Sequence, residues 1–188
     1  VDLYEMRPKV KTDAHNTKLL AELVCSNSFR SDDKEYNAVG VLHEELRIAD
    51  SLIIKSADLH KVPAGSALAV DRDNFANYID KSIKENKNIN VINKEIENLD
   101  QFKNEIVIVA TGPLTSKNLS NNIKVKTSET SLAFYDAIAP IVYKNSIDLS
   151  IAWKQSRYDK GEGDDYINCP LSKDQYYKFI ENVKKAPK

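Results

Sequence analysis

The chain opens with Leu3 and Tyr4 set between Val1 and Glu5. The segment Val1-Asp2-Leu3-Tyr4-Glu5-Met6-Arg7-Pro8 predicts a buried-type strand that closes on a carboxylate. Residues 9–38 are mostly polar, with one short helical stretch around Thr17 to Val24. A segment this long with so little periodicity is usually functional or disordered. Periodicity returns at Val39 to His60, where Val39, Leu42, Leu46, Ala49 and Ile53 recur at helical steps and predict one helix with one apolar stripe. Val62-Pro63-Ala64-Gly65 breaks it, and Ala67 to Val70 reads as a short strand. Phe75, Ile79 and Ile83 predict a second helix over Asp71 to Glu85, capped by Asp71 or Asp73. Ile89 to Ile92 is a strand candidate. Glu105 to Ala110 carries Ile106-Val107-Ile108-Val109, the continuous apolar run of a strand buried on both faces of a parallel sheet, and ends in Thr111-Gly112-Pro113.

The pattern changes after Pro113. Residues 114–130 are polar, with room for one short helix. Ser131 to Tyr135, Ile141 to Tyr143 and Ile151 to Lys154 read as strands. Ser172 to Lys185 reads as a closing helix with Ser172 and Gln175 as capping box and Tyr176, Phe179, Ile180 and Val183 as apolar face. The expected class is α/β, with a domain boundary in 114–145: a first domain over residues 1–130 and the beginning of a second over 131–188.

Composition narrows the picture modestly. The chain is 41% hydrophobic and 29% charged, with a net charge of −1, so no global basic signal points to nucleic acid. No apolar run approaches the ~20 residues of a membrane span. Cys25 and Cys169 are too few for a disulfide scaffold and suit a reducing cytosol, so a cytoplasmic location is expected. Two Cys and three His lie far apart without ligand spacing, so no metal site is expected.

Four stretches carry candidate chemistry. A carboxylate at the end of a strand such as Glu5 accepts hydrogen bonds from ribose hydroxyls in dinucleotide-binding units, about 20 residues after a glycine-rich turn. That turn is missing, and the chain starts on Val1 without an initiator Met. We therefore expect a piece of a longer protein, with half of an adenine-dinucleotide site outside it. The Ala110-Thr111-Gly112 corner is a recurrent flavoprotein feature, where glycine lets backbone pass close to the cofactor; its plainer reading is a tight turn. Cys25, amid small polar residues and Arg30, is either a reactive thiol or an inert one at a helix end. Cys169, beside apolar residues, reads as structural. Ser156-Arg157-Tyr158-Asp159-Lys160-Gly161 is either a charged hairpin turn or an RNA contact in which Arg157 and Lys160 hold phosphates and Tyr158 stacks on a base.

These motifs occur in a familiar order: Leu3-Tyr4-Glu5-Met6-Arg7-Pro8, Ala21-Glu22-Leu23-Val24-Cys25-Ser26-Asn27-Ser28, Val62-Pro63-Ala64-Gly65, and Ala67-Leu68-Ala69-Val70-Asp71-Arg72. Then come Ala110-Thr111-Gly112-Pro113-Leu114-Thr115-Ser116, Phe134-Tyr135-Asp136-Ala137, Ala139-Pro140-Ile141-Val142, and Ser156-Arg157-Tyr158-Asp159-Lys160-Gly161. Over nearly its whole length the chain resembles the folate- and FAD-dependent tRNA (uracil-5-)-methyltransferases of bacteria. The resemblance implies a glutathione-reductase-like FAD-binding Rossmann domain, present here in part, and part of an inserted α+β domain. It implies FAD as cofactor, methylenetetrahydrofolate as one-carbon donor, NAD(P)H as reductant, and 5-methyluridine in tRNA as product. A relative with the same motifs methylates large-subunit ribosomal RNA instead, and a non-catalytic flavin- or RNA-binding fragment is a third alternative. By matching motifs, Glu5 and Arg7 are expected at the FAD adenosine, Cys25, Ser26 and Asn27 near the isoalloxazine, and Asp71, Arg72, Thr111 and Gly112 along the cofactor. The family's main nucleophilic thiol lies in a later Gly-Cys-Met-Pro motif that this chain lacks, so Cys25 is expected in a supporting role. Ser66 departs from the family's usual second glycine after Gly65.

Overall fold

A computed structural model describes residues 1–128, 142–156 and 163–186. Strand β1 (Asp2–Glu5) lies parallel to β5 (Asn90–Asn93), with Leu3 opposite Val91 and Tyr4 opposite Ile92. A parallel pair needs a long crossover, and residues 6–89 form it. Within that crossover β4 (Ala67–Val70) is the middle of an antiparallel sheet, flanked by β2 (Ser28–Ser31) and β3 (Lys61–Val62). The architecture is thus mixed α/β with a parallel pair, as the alternation of elements predicts.

The core forms where β4 meets two helices. Leu68 and Val70 of β4 are fully buried with Ile54 and Ala57 of α2 (Leu52–Leu59) and Phe75 and Ile79 of α3 (Arg72–Glu85). Phe29 of β2 closes it, its ring 5.4 Å from that of Phe75. Helix α3 follows the sequence expectation closely. The Asp71 side chain accepts from the Asn74 N–H at 2.9 Å, and the four-residue apolar spacing faces inward.

The single helix expected over Val39 to His60 is two, α1 (Ala38–Ile48) and α2, separated where Asp50 takes a left-handed φ of 51°. The break rotates the two halves out of phase. Leu42 and Ile53, placed by periodicity on the buried stripe, stand about half exposed, while His43 and Ile54 are buried. At Gly40 an added Cβ would lie 2.2 Å from the Asp33 carbonyl oxygen, so only glycine lets the 33–34 loop cross α1 there. Thr17 to Val24 is a series of turns and bends, not a helix.

The expected strand over Glu105 to Ala110 is a correction. The run is unpaired, with Ile106 100% and Ile108 86% exposed. A strand exists only through a partner's backbone, and no neighbouring strand among the described residues reaches this run. Helix α4 (Lys117–Thr127) follows and packs on a 3-10 turn at Leu99–Phe102, with the Asn122 side chain accepting from the Leu99 N–H. The strand expected over Ser131 to Tyr135 lies outside the described residues, as does Ile141, and Tyr143 leads into a 3-10 turn at Lys144–Ser146. Strands β6 (Trp153–Lys154) and β7 (Ile167–Asn168) form an antiparallel hairpin. It docks on the Pro63-Ala64-Gly65 turn: the Tyr166 hydroxyl donates to the Ala64 carbonyl at 2.8 Å, and the Gly65 N–H donates to the Asp165 carboxylate. Helix α5 (Lys173–Lys185) has the expected capping box, but its Tyr176, Phe179 and Val183 remain about half exposed.

Candidate cofactor and thiol site

Glu5, at the end of β1, is held by the residue two positions on. Its Oε1 accepts from the Arg7 backbone N–H and from Arg7 Nε, both at 2.9 Å, and its Oε2 accepts from an Arg7 Nη at 3.0 Å. The other Arg7 Nη donates to Glu22 at 2.9 Å. Arg7 is buried, so its charge is compensated from both sides. Glu22 in turn accepts from the backbone N–H groups of Asn16 and Thr17 and from the Thr17 hydroxyl. Burial pushes the Glu5 carboxyl up, but the Arg7 hydrogen bonds and charge outweigh it and hold the pKa below the usual value. For Glu22, burial is likewise outweighed by the Asn16 and Thr17 hydrogen bonds and the Arg7 charge. Glu22 carries no signal of its own in the sequence, because the spacing between it and Arg7 belongs to no local motif.

This network brings Glu5 and Arg7 to the segment that bears Cys25. That segment is fastened to the junction of β4 and α3. Arg72 donates to the Leu23 carbonyl at 3.1 Å and to the Cys25 carbonyl at 2.5 Å. The Asn27 side-chain amide donates to the Val70 carbonyl at 2.8 Å, and the Val70 N–H returns a bond to the Asn27 carbonyl at 3.0 Å. Ser26 Oγ accepts from the Ser28 N–H. Cys25 is half-buried in a loop, whereas Cys169 is exposed, which corrects its reading as a structural thiol. Just beyond, Arg30 takes a φ of 73° where β2 slips register against β4, a strained conformation for a residue with a Cβ.

The remaining expected positions separate into three groups. Asp71 and Arg72 sit beside the Cys25 segment, and their observed bonds are a helix cap and a loop tie. Thr111 and Gly112 lie on an exposed turn in which the Thr115 hydroxyl donates to the Gly112 carbonyl. Gly112 has a φ of 71° and no protein atom within 4 Å of where a Cβ would be, so its backbone conformation by itself calls for glycine. Arg157, Tyr158 and Lys160 lie outside the described residues, and their flanks Ser156 and Gly163 are bonded backbone to backbone at 3.0 Å. Sequence reasoning also missed Asp32. It gathers His43 Nδ1 at 3.0 Å, an Arg47 Nη at 2.8 Å and Lys61 Nζ at 3.3 Å, tying the β2–α1 loop to α1 and β3. Burial is again outweighed by these donors, and the Asp32 carboxyl is held low.

Among the described residues no three His, Cys, Asp or Glu side chains gather in a metal-binding group. Among the described residues no helix is long and apolar enough to cross a membrane.

Comparison with known proteins is consistent along the whole chain. The family described as "Glucose inhibited division protein A" matches residues 1–188. A protein of Paramagnetospirillum magneticum is 57% identical over 181 residues, which cover 96% of this chain and 40% of that protein. Proteins of Bartonella tribocorum and Cereibacter sphaeroides are 53% and 54% identical over 192 residues, all of this chain and 40% and 43% of theirs. All three are named "Methylenetetrahydrofolate--tRNA-(uracil-5-)-methyltransferase TrmFO". The chain therefore spans about two fifths of the length of the relatives it matches.

Proposed function

The chain belongs to the glucose-inhibited division protein A family, and from that premise we propose that it is part of a flavoprotein that makes 5-methyluridine in tRNA. Methylenetetrahydrofolate is the carbon donor, FAD the redox cofactor and NAD(P)H its reductant. The observation that carries this reading is identity above one half, along the whole chain, to proteins named for that reaction. Residues 1–130 form part of a glutathione-reductase-like FAD domain in this reading, 131–188 begin an inserted domain, and the protein works in the cytoplasm.

The residues present suit one end of an FAD. Glu5 Oε2 accepts one bond from Arg7, which leaves it capacity for one hydroxyl, and Arg7 holds that carboxylate ionised and oriented. Asp71, with Oδ1 engaged in capping α3, has its second oxygen available. Ser26, Asn27, Thr111 and Gly112 line the cofactor, and Arg157, Tyr158 and Lys160 face RNA. Bound FAD supplies the reducing equivalents for converting the transferred carbon to a methyl group. Methylation at uracil C5 also needs a nucleophile at C6 and a base for the C5 proton. Cys25, half-buried on a fastened loop, serves that chemistry as a supporting acid or base, while the principal nucleophile lies outside this chain.

The test is labelled-carbon transfer from methylenetetrahydrofolate to a tRNA transcript by the flavin-loaded protein that carries this sequence, with a ribosomal RNA transcript in parallel. Label in the tRNA as 5-methyluridine, slowed by Cys25→Ser at unchanged flavin content, supports the reading. Label only in the ribosomal transcript would move the substrate, and label in neither would end the proposal.

A further inference from the structure

We infer that Arg72 is a positioning residue that mounts the Cys25 thiol on the protein core, rather than a ligand of the cofactor. The inference deepens the functional reading above and rests on it for the role of Cys25. Arg72 is the first residue of α3, directly after Val70-Asp71. Its two terminal nitrogens reach carbonyls two residues apart in a segment nearly fifty positions earlier, Leu23 at 3.1 Å and Cys25 at 2.5 Å. A planar guanidinium serves two acceptors at once, and charge-assisted bonds are the stronger kind.

The second fastening lies on the other side of the thiol. Asn27 and Val70 exchange two bonds, one from the Asn27 side chain at 2.8 Å and one from the Val70 N–H at 3.0 Å. Val70 is fully buried in the core. Leu23 and Cys25 are thus pinned by Arg72, and Asn27 by Val70, from two positions on one rigid junction. A cysteine whose flanking peptide planes are fixed keeps only its own χ1 as freedom. Such a mount matters for proton transfer, where misplacement by about 1 Å costs on the order of a hundredfold in rate. It also gives the arginine a role at a site with no carboxylate partner among the described residues: both of its terminal nitrogens serve backbone carbonyls.

Two measurements test this. The first is hydrogen exchange on the flavin-loaded protein that carries this chain, comparing Arg72→Met with the parent. Loss of two charge-assisted bonds should speed exchange of the Ser28 and Val70 amides, which are bonded into the 23–28 segment, by about tenfold or more, with the α3 amides beyond its first turn unchanged. Unchanged exchange in that segment overturns the inference. The second uses the flavin-loaded protein that carries the chain. Arg72→Met should lower single-turnover methyl transfer by about tenfold or more with flavin content and the folate KM essentially unchanged, and Arg72→Lys should recover part of the rate, since an ammonium can still serve one carbonyl. Flavin loss in proportion to activity would make Arg72 a cofactor ligand and overturn the inference. If exchange responds as expected but the parent forms no 5-methyluridine, the functional reading fails and the mount stands.

Discussion

Arg7 and Glu5 form a closed unit: three hydrogen bonds run from one residue to the carboxylate of the other, at 2.9, 2.9 and 3.0 Å, with Arg7 itself buried. The backbone N–H and the guanidinium of Arg7 meet the same side chain. The end of β1 is therefore held by a contact between residues two positions apart.

Arg7 is also paired with Glu22 at 2.9 Å, and removing either acid leaves a buried cation under-compensated. Glu5→Ala and Glu22→Ala should each cost roughly 3 kcal/mol, the scale of breaking a buried pair. Urea denaturation measures it. Losses below about 1 kcal/mol in both would mean that the network is solvated and weak.

The same network sets a pH dependence. Glu5, Glu22 and Asp32 have folded-state pKa values below their unfolded ones. Their contribution is complete above the unfolded carboxylate range and disappears as pH falls through the depressed folded values. The melting temperature should hold steady down to about pH 5 and fall steeply below about pH 4. Asp32→Asn should shallow that fall. A melting curve insensitive to acid over this range would contradict the assignment.

Asp32 is the second stabilising hub. Asp32→Ala strips partners from His43, Arg47 and Lys61 and should cost roughly 2–3 kcal/mol, as for hydrogen bonds to charged groups. Lys34→Ala, which removes the exposed ion pair with Glu44, is the control and should change stability by less than about 1 kcal/mol.

Asp71 separates capping from cofactor binding. Asp71→Ala should cost about 1 kcal/mol by loss of the α3 cap, whereas Asp71→Asn keeps the cap and the stability. If Asp71 also contacts the cofactor, Asn will retain the fold but lower flavin content in the flavin-loaded protein. Equal flavin content in Asn and parent would leave Asp71 a cap only.

Gly40→Ala should destabilise by roughly 3 kcal/mol, because the new Cβ meets backbone at 2.2 Å and cannot turn away. Gly112→Ala meets open space and should cost only the left-handed backbone penalty, about 1–2 kcal/mol. Thermal melting of the two variants side by side gives the order directly.

Elements with local signals were legible from the chain alone. Asp71 before Phe75 and Ile79 defines α3, and Ser172 with Gln175 defines the start of α5, because a cap and the N–H it accepts from are at most three residues apart and the apolar spacing matches the helical turn. The strand-end carboxylate and the thiol were legible as residue types in order. Tertiary structure decided the rest. The left-handed turn at Asp50 split one periodic run in two, and Ile106 to Val109, apolar enough for a buried strand, has no ladder to join among the described residues. Arg72 reaches Cys25, Arg7 reaches Glu22, and Asp32 collects His43, Arg47 and Lys61. These partners lie from eleven to nearly fifty positions apart, and no sequence spacing specifies them. A helix cap is fixed by the geometry of one turn, whereas a strand or a buried charge acquires its partner only when distant segments close on the core.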